Sequence, residues 1–200
     1  MIRAVVLLAV ASLPVACASA PPTTRGGAKF VVTPIAEKRI ESLPSGPLFW
    51  FVERFANRAA AERDVGPTAL VADDSGGAWR FTLGRREAFV ATGDLVATIG
   101  AVPAISAARY LLRINRAGGA PGARTEIHSH PGSEAFFVRS GRLCQRMDHA
   151  TACVRSGGTR NGHGADQAMQ LWSAGKEPLD QFVLFVVDAD RPFSSPARFR

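Results

Sequence analysis

Two histidines and a glutamate stand close together in the segment HSHPGSEAFF, residues 128–137. Alternate residues of a strand share a face, so His128 and His130 point the same way where this segment is extended. Pro131-Gly132 then turns the chain, and Glu134 begins the returning strand. Imidazole and carboxylate groups bind divalent metals, which also offset the cost of burying a carboxylate among apolar residues. The segment therefore predicts a mononuclear metal site held by His128, His130 and Glu134.

The wider spacing around these residues resembles a known motif. The first motif of the cupin superfamily has the spacing found here between Gly122 and Gly141. It reads Gly122, five residues, His128, one residue, His130, three residues, Glu134, six residues and Gly141. This resemblance implies a small jelly-roll barrel that includes at least residues 106–190. It also implies that the three side chains are metal ligands and that the two glycines permit tight turns.

Three further stretches are similar to a group of uncharacterised bacterial cupin-domain proteins. They are LPSGPLFWFVERF, GHGADQAMQ and FVVDADRPFSSPARF. This likeness extends over most of the chain from about residue 30, and it implies one integrated domain with no established substrate.

The chain departs from the second cupin motif, which supplies another histidine ligand. Counting back from Gly175 places Met169 at that position, and counting forward from Gly164 places Gln167 there. His163 is the nearest imidazole, in a segment that reads as a loop. A thioether suits copper(I) but is a poor ligand for hard divalent iron or manganese. The fourth ligand therefore stays open among His163, Gln167 and Met169, and so does the choice among Fe, Mn, Ni and Zn.

Two functions are consistent with these residues. Two histidines and one carboxylate match the facial triad of non-haem iron enzymes and also a catalytic zinc site, so one reading is oxidation or isomerisation of a small organic molecule. The other is a non-enzymatic ligand-binding or envelope protein whose metal site has degraded. In either reading four residues are candidates for the wall of a ligand cavity, although each also suits an ordinary core: Phe136, Val138, Met169 and Trp172.

Cys144 and Cys153 flank the segment QRMDHATA. A two-residue turn at Asp148-His149 sets the two cysteines directly opposite each other on a non-hydrogen-bonded site, where the strands come closest. That position allows a disulfide, and it equally allows two small buried apolar side chains. The same turn predicts that His149 is exposed.

The first 20 residues have the pattern of a secretory signal peptide. A short basic start precedes an apolar run too short to cross a bilayer, followed by small residues. LPVAC also resembles a lipoprotein signal, in which Cys17 carries the lipid, and cleavage after Ala18 or Ala20 is the alternative. We expect a protein of the periplasm or the exterior, with lipid anchoring to the outer membrane left open, and a linker over residues 21–29.

The formal net charge of +7 raises the question of a nucleic-acid partner. Three of the 24 basic residues are lysines, which leaves 21 arginines, and these are scattered. No basic stripe with interleaved aromatic residues is visible, so we expect no nucleic-acid partner. We expect a small-molecule ligand, membrane contact only through a lipid at Cys17 and, by the cupin resemblance, a homodimer.

Short strands separated by glycine and proline predict an all-β jelly-roll barrel or sandwich with an N-terminal β extension and one short helix. We assign residues 30–105 to the extension and 106–200 to the cupin barrel and its tail. In the extension, FVVTPI and LFWFVERF read as strands, ALVADDSGGAWRFTL reads as a hairpin, and NRAAAERDVGP reads as a helix. The other strands are expected at 94–99, 108–115, 124–130, 134–139, 142–147, 150–155, 167–172 and 181–187.

Overall fold

The computed structural model describes residues 28–74 and 77–200, which consist mainly of antiparallel strands. In chain order the strands are β1 (Val31–Ile40), β2 (Phe49–Phe55), β3 (Ala69–Asp74), β4 (Gly77–Gly84), β5 (Asp94–Gly100), β6 (Tyr110–Gly119), β7 (His128–Ser129), β8 (Gly132–Ser140), β9 (Arg142–Arg146), β10 (Thr151–Arg155), β11 (Thr159–Asn161), β12 (Gln170–Ser173), β13 (Leu179–Asp188) and β14 (Ser195–Pro196). One short helix, α1 (Arg58–Ala61), and one 3-10 turn, Arg86–Ala88, lie between strands.

Three of the sheets form the layers of the protein. The central sheet has five strands in the order β1-β6-β13-β8-β11, and the N-terminal sheet has four in the order β3-β4-β2-β5. A three-stranded sheet, β10-β9-β12, covers the other face of the central sheet, and a short pair, β14-β7, lies beside it. The prediction of an all-β jelly-roll class is confirmed. The first strand of the expected extension, β1, belongs to the central sheet through its pairing with β6.

The central sheet carries two cores because both of its faces are covered. Along β13, alternate side chains enter opposite cores, so that the strand reads as a continuous apolar run. Phe182, Leu184 and Val186 pack towards the N-terminal sheet. Val183 and Phe185 face the three-stranded sheet, which is the side on which the histidine-bearing hairpin lies.

The helix is shorter than NRAAAERDVGP predicts. The Asn57 side chain accepts a hydrogen bond from the Ala60 backbone N–H at 2.9 Å and so caps the helix, but the helix ends at Ala61. Ala61 is its only buried residue. A helix this short depends on tertiary packing, and nothing apolar beyond Ala61 extends its contact with the sheet. Asp64 then adopts a left-handed backbone conformation with φ of 56°.

The strand expected at 124–130 is regular only at His128–Ser129. Before it, the chain makes isolated bridges, from Lys29 to Arg124 and from Arg124 to Trp172. The other strands expected in the barrel lie within a few residues of their predicted bounds. The predicted hairpin is present as β3 and β4, and part of its turn, residues 75–76, lies outside the described residues.

The signal peptide, the Cys17 lipid site and linker residues 21–27 lie outside the described residues. Within residues 28–74 and 77–200, no helix is both long and apolar enough to cross a bilayer.

The two motif glycines have the backbone conformation that turns at these positions require. Gly122 has φ of 86° and Gly141 has φ of 74°, in the region that side chains disfavour. At Gly141 a Cβ would also lie 2.6 Å from the carbonyl oxygen of Pro178. Glycine at 141 therefore permits the tight connection between β8 and β9.

A buried ion pair holds the N-terminal sheet together. Glu53 is fully buried on β2 and lies directly opposite Arg80 on β4. Its Oε2 accepts hydrogen bonds from Arg80 Nε at 3.0 Å and Nη2 at 2.9 Å. Its Oε1 accepts from the backbone N–H groups of Thr92 and Gly93 at 2.8 and 2.9 Å. Each carboxylate oxygen thus has two donors, and the loop before β5 is attached to the sheet through them.

Replacing Glu53 with Ala leaves a buried guanidinium without its partner. We expect Glu53→Ala to lower the free energy of unfolding by about 3–5 kcal/mol, measured by urea denaturation. The neighbouring Arg54 makes an exposed ion pair with Asp94 at 2.9 Å, so Arg54→Ala is the matched control with a loss below about 1 kcal/mol. An equal loss of unfolding free energy in the two variants would show that burial of the Glu53–Arg80 pair does not affect stability.

A disulfide joins Cys144 on β9 to Cys153 on β10. The two residues are directly opposite each other in the strand pair, with their Cα atoms 4.1 Å apart. His149 lies in the turn of this hairpin and is exposed.

The disulfide closes a short loop, because its cysteines are nine positions apart in sequence. Loop entropy of this size corresponds to about 2–3 kcal/mol. We expect a reductant to lower the free energy of unfolding of the wild-type protein by about that amount. The double variant Cys144→Ala/Cys153→Ala should match the reduced wild type and should not respond to the reductant. If the reductant also lowers the stability of the double variant, its effect on the wild type does not come from the disulfide.

Candidate functional site

The histidine-bearing hairpin is held on both edges. The backbone N–H of His128 donates to the carbonyl oxygen of Met169 at 3.0 Å, and the Met169 N–H donates back at 2.8 Å. On the other side, His128 pairs with Pro196 of β14. The backbone beneath the first histidine is therefore fixed by two segments that are distant in sequence.

Both histidines use Nδ1 to bind a backbone carbonyl. His128 Nδ1 lies 2.8 Å from the carbonyl oxygen of Glu126, and His130 Nδ1 lies 2.6 Å from that of Phe193. A carbonyl oxygen only accepts, so each Nδ1 carries the proton and donates. When such a ring is neutral, its lone pair is on Nε2, the arrangement typical of metal-binding histidines.

His130 is packed among aromatic rings. Its ring centroid lies 4.8 Å from that of Phe185 and 4.9 Å from that of Phe193, and these two phenylalanines also contact each other. The ring of His128 lies edge-on to it at 5.0 Å. Burial lowers the pKa of His130 from 6.5 to about 4, with smaller contributions from His128 and Arg113 in the same direction. His130 is thus neutral at neutral pH.

Glu134 lies on β8 opposite Phe185, on the face of the central sheet that also carries Phe136. Its side chain is buried, and its Oε1 accepts a hydrogen bond from Gln145 Nε2 at 2.7 Å. Its Oε2 is buried and has no hydrogen-bond partner among the described residues. Burial raises the pKa of the Glu134 carboxyl from 4.5 to about 8, although Gln145 and the charge of Arg160 oppose the rise.

Gln145 connects Glu134 to an arginine. Arg160 Nε donates to Gln145 Oε1 at 2.7 Å. Since a guanidinium only donates, this contact fixes the amide orientation and directs the NH₂ group to Glu134. The sulfur of Met169 lies 3.6 Å from the same NH₂ group. Sequence reasoning missed Gln145, although it shares a strand face with the core residue Leu143, two positions earlier.

A cavity of about 340 Å³ adjoins these residues. Its polar lining residues are Asn115, Thr125, Glu126, His128, His130, Glu134 and Ser194, and its apolar ones are Phe30, Val32, Ala117, Leu171, Val183, Phe185 and Phe193. The three predicted metal ligands therefore line one cavity whose walls are mainly apolar.

The predicted cavity wall differs from the observed one. Phe136 and Val138 are fully buried in the core and do not line the cavity. Trp172 does not line it either, because its neighbour Leu171 does and successive side chains of a strand point to opposite faces. On the same strands, the residues that line the cavity are Glu134 on β8 and Leu171 on β12.

The three candidates for a fourth ligand lie in different surroundings. Met169 is buried beside Gln145, close to Glu134. Gln167 is exposed. His163 is half-buried in the loop after β11, and its Nε2 is buried without a hydrogen-bond partner in the part of the chain that the structure describes. Burial and the nearby positive charge of Arg160 lower its pKa.

The donor set suits a divalent cation in the types of its groups. Two imidazoles keep Nε2 available, and a buried carboxylate oxygen lacks a partner. Across residues 28–74 and 77–200, however, no three His, Cys, Asp or Glu side chains are close enough together to hold an ion. The assignment of His128, His130 and Glu134 as metal ligands stays a prediction.

The chain matches no family model and no curated protein. Among solved structures it is similar to the DMSP lyase DddQ from Ruegeria pomeroyi, with 18% identity and a TM-score of 0.38 over 43% of each chain. A cupin-like protein from Thermotoga maritima matches with 18% identity and a TM-score of 0.39, over 43% of this chain and 64% of that one.

A third similar structure is an uncharacterised Klebsiella pneumoniae protein with a double-stranded β-helix domain. It has 20% identity and a TM-score of 0.38, over 44% of this chain and 75% of that one. The matches thus span less than two thirds of the lyase and of the Thermotoga protein. The described residues form an all-β jelly roll with an added N-terminal sheet. The cupin assignment rests on the resemblance of the motif from Gly122 to Gly141.

The raised pKa of Glu134 makes stability depend on pH in the metal-free protein. The folded chain keeps the Glu134 proton up to about pH 8, whereas the unfolded chain releases it near pH 4.5. Unfolding therefore releases a proton between these values, and stability falls as the pH rises through them. His130 acts in the opposite direction, but only between about pH 4 and 6.5.

We expect the free energy of unfolding of chelator-treated protein to fall between pH 6.5 and 8 by up to about 2 kcal/mol, at roughly 1.4 kcal/mol per pH unit. Glu134→Gln has no carboxyl to titrate and should lack this fall. Urea denaturation of both proteins at the two pH values measures the difference. An identical pH dependence in wild type and variant would contradict the raised pKa.

Proposed function

We propose that this chain is an exported cupin-type protein that binds one divalent metal ion through His128, His130 and Glu134 and takes a small organic molecule into the adjoining cavity. One observation carries the proposal. Both imidazoles are tied through Nδ1 to backbone carbonyls, and their cavity is shared with a buried carboxylate oxygen that lacks a partner. Binding requires these three side chains to converge further than they do in the structure.

A divalent metal in such a site leaves coordination positions for exchangeable ligands, which suits oxidation or Lewis-acid isomerisation of a small molecule. The protein residues supply binding and orientation. Phe185 and Phe193 pack against His130 and keep water from its ring. Gln145 occupies one oxygen of Glu134, so the other is the oxygen available to a cation.

A non-enzymatic ligand-binding role is the second candidate. Met169 and Gln145 occupy the space beside Glu134. Met169 is one of the two positions, with Gln167, at which the cupin resemblance places another histidine. Gln145 already satisfies one carboxylate oxygen without a metal. A protein that had lost its need for tight metal binding would tolerate this arrangement, and its cavity would still accept a small molecule.

The proposed location is the periplasm or the exterior, with or without a lipid on Cys17. The leader pattern of residues 1–20 supports export. The disulfide between Cys144 and Cys153 is compatible with an oxidising compartment, where such bonds persist.

Metal content of the purified protein tests the metal site directly. We expect the wild-type protein, isolated without chelator, to carry close to one divalent ion per chain by elemental analysis. His128→Ala, His130→Ala and Glu134→Gln should each weaken binding roughly tenfold or more, because each removes a ligand. His149→Ala is the matched control, since His149 is exposed in a hairpin turn and does not line the cavity.

Metal retained by His128→Ala with wild-type affinity would overturn the ligand assignment. A wild-type protein with little metal and no thermal shift on addition of Fe(II), Mn(II), Ni(II) or Zn(II) would favour the non-enzymatic candidate.

A further inference from the structure

Asn115 is a buried polar residue on an apolar wall of the cavity. It lies on β6 in the central sheet, directly opposite Val183, and is only 2% exposed. Ala117 follows it on the same strand face, and Val183 and Phe185 lie beside it on β13. A buried amide without hydrogen-bond partners is costly, so the partners of Asn115 call for an explanation.

Arg113 determines how the Asn115 amide is oriented. Arg113 Nε donates to Asn115 Oδ1 at 3.0 Å. Because a guanidinium has no acceptor, the oxygen of the amide must face Arg113 and the NH₂ group must face away from it. Among the described residues, the Asn115 side chain forms one hydrogen bond, the one that it accepts from Arg113. Asn115 also lines the cavity, so its NH₂ group is a donor that a ligand can reach.

The surroundings of this donor favour an electron-rich ligand atom. The Arg113 guanidinium lies over the Phe193 ring, 4.3 Å from its centroid, and its side chain is 20% exposed. Its nearest acidic partner is the exposed Glu37, at 3.7 Å, so its charge is only weakly compensated. A ligand oxygen at Asn115 would meet two N–H donors with a positive charge behind them.

We infer that Asn115 anchors an acceptor oxygen of the ligand, and that the ligand is a small molecule with a compact apolar body and a carboxylate or carbonyl group. The apolar walls contact the body of the ligand, and the Asn115 NH₂ group binds its oxygen. An amine ligand brings only donors and cannot accept from the Asn115 NH₂ group, although two carboxyl groups, those of Glu126 and Glu134, also line the cavity. The cavity, at about 340 Å³, is near the lower end of the 300–1,000 Å³ typical of ligand sites, which limits the ligand to a small one.

This inference rests on the part of the proposed function that gives the cavity a small-molecule ligand. It assigns Asn115 a role in specificity and Arg113 the role of a positioning residue that acts through Asn115. Neither residue belongs to the predicted metal ligands, so the two proposals can be tested separately.

The test uses the full chain and a panel of monocarboxylates from acetate to benzoate, with benzylamine as the cationic counterpart of benzoate. Binding is measured by calorimetry, with and without added Zn(II). We expect at least one carboxylate to bind the wild type and benzylamine not to bind. Asn115→Asp keeps the side-chain shape but replaces the NH₂ donors with an acceptor, and should weaken the carboxylate roughly tenfold or more.

Asn57→Asp makes the same exchange at an exposed helix cap and should leave carboxylate binding unchanged. A second measurement keeps the test valid if Asn115→Asp does not fold. In wild-type protein, the ¹⁵N–¹H side-chain resonances of Asn115 should shift on addition of the bound carboxylate, whereas those of Asn57 should not.

The outcomes separate the two proposals. The inference is overturned if the wild type and a folded Asn115→Asp bind carboxylate equally well. It is also overturned if no carboxylate of the panel binds, or if a carboxylate binds and the Asn115 resonances do not shift. If no metal binds but carboxylate binding depends on Asn115, the metal part of the proposed function fails and the ligand inference stands.

Discussion

The burial of the Glu134 carboxyl is the constraint on which the rest of the site depends. A carboxyl group beneath an apolar sheet surface either keeps its proton or acquires a compensating partner. Glu134 has one neutral partner, Gln145, and one oxygen without any among the described residues. The metal-free site therefore favours the protonated acid, and a cation that paired with the free oxygen would favour the carboxylate instead.

The layered architecture explains why this group cannot relax towards water. The N-terminal sheet covers one face of the central sheet, and the three-stranded sheet covers much of the other. β8 and β13 are consequently buried along most of their length, and the row that contains Glu134 and Phe185 has no exposed side. Close packing of the two cores then fixes side-chain directions in the cavity.

Two amides at the cavity are oriented by the same physical device. Arg160 binds the oxygen of Gln145, and Arg113 binds the oxygen of Asn115. In both cases the guanidinium cannot accept, so the NH₂ group is directed away from the arginine. Gln145 then points to a carboxyl of the protein, whereas Asn115 lines the cavity, where a ligand can reach its NH₂ group. Asn115 is therefore the amide that is available to a ligand, and Gln145 is not.

Strand alternation, turn residues and the spacing of His128, His130 and Glu134 were sufficient to predict the all-β class and to select the hairpin at the cavity, because these depend on local backbone geometry. Local pattern could not identify Gln145, Asn115 or the true wall residues such as Leu171. Their roles arise from the register between β6, β13 and β8 and from the packing of β9 and β12 against that sheet. Only the tertiary structure brings Arg160 to Gln145, since these residues lie on different strands. Arg113 and Asn115 share one face of β6, but only the packing of the sheets buries that face and makes it a cavity wall.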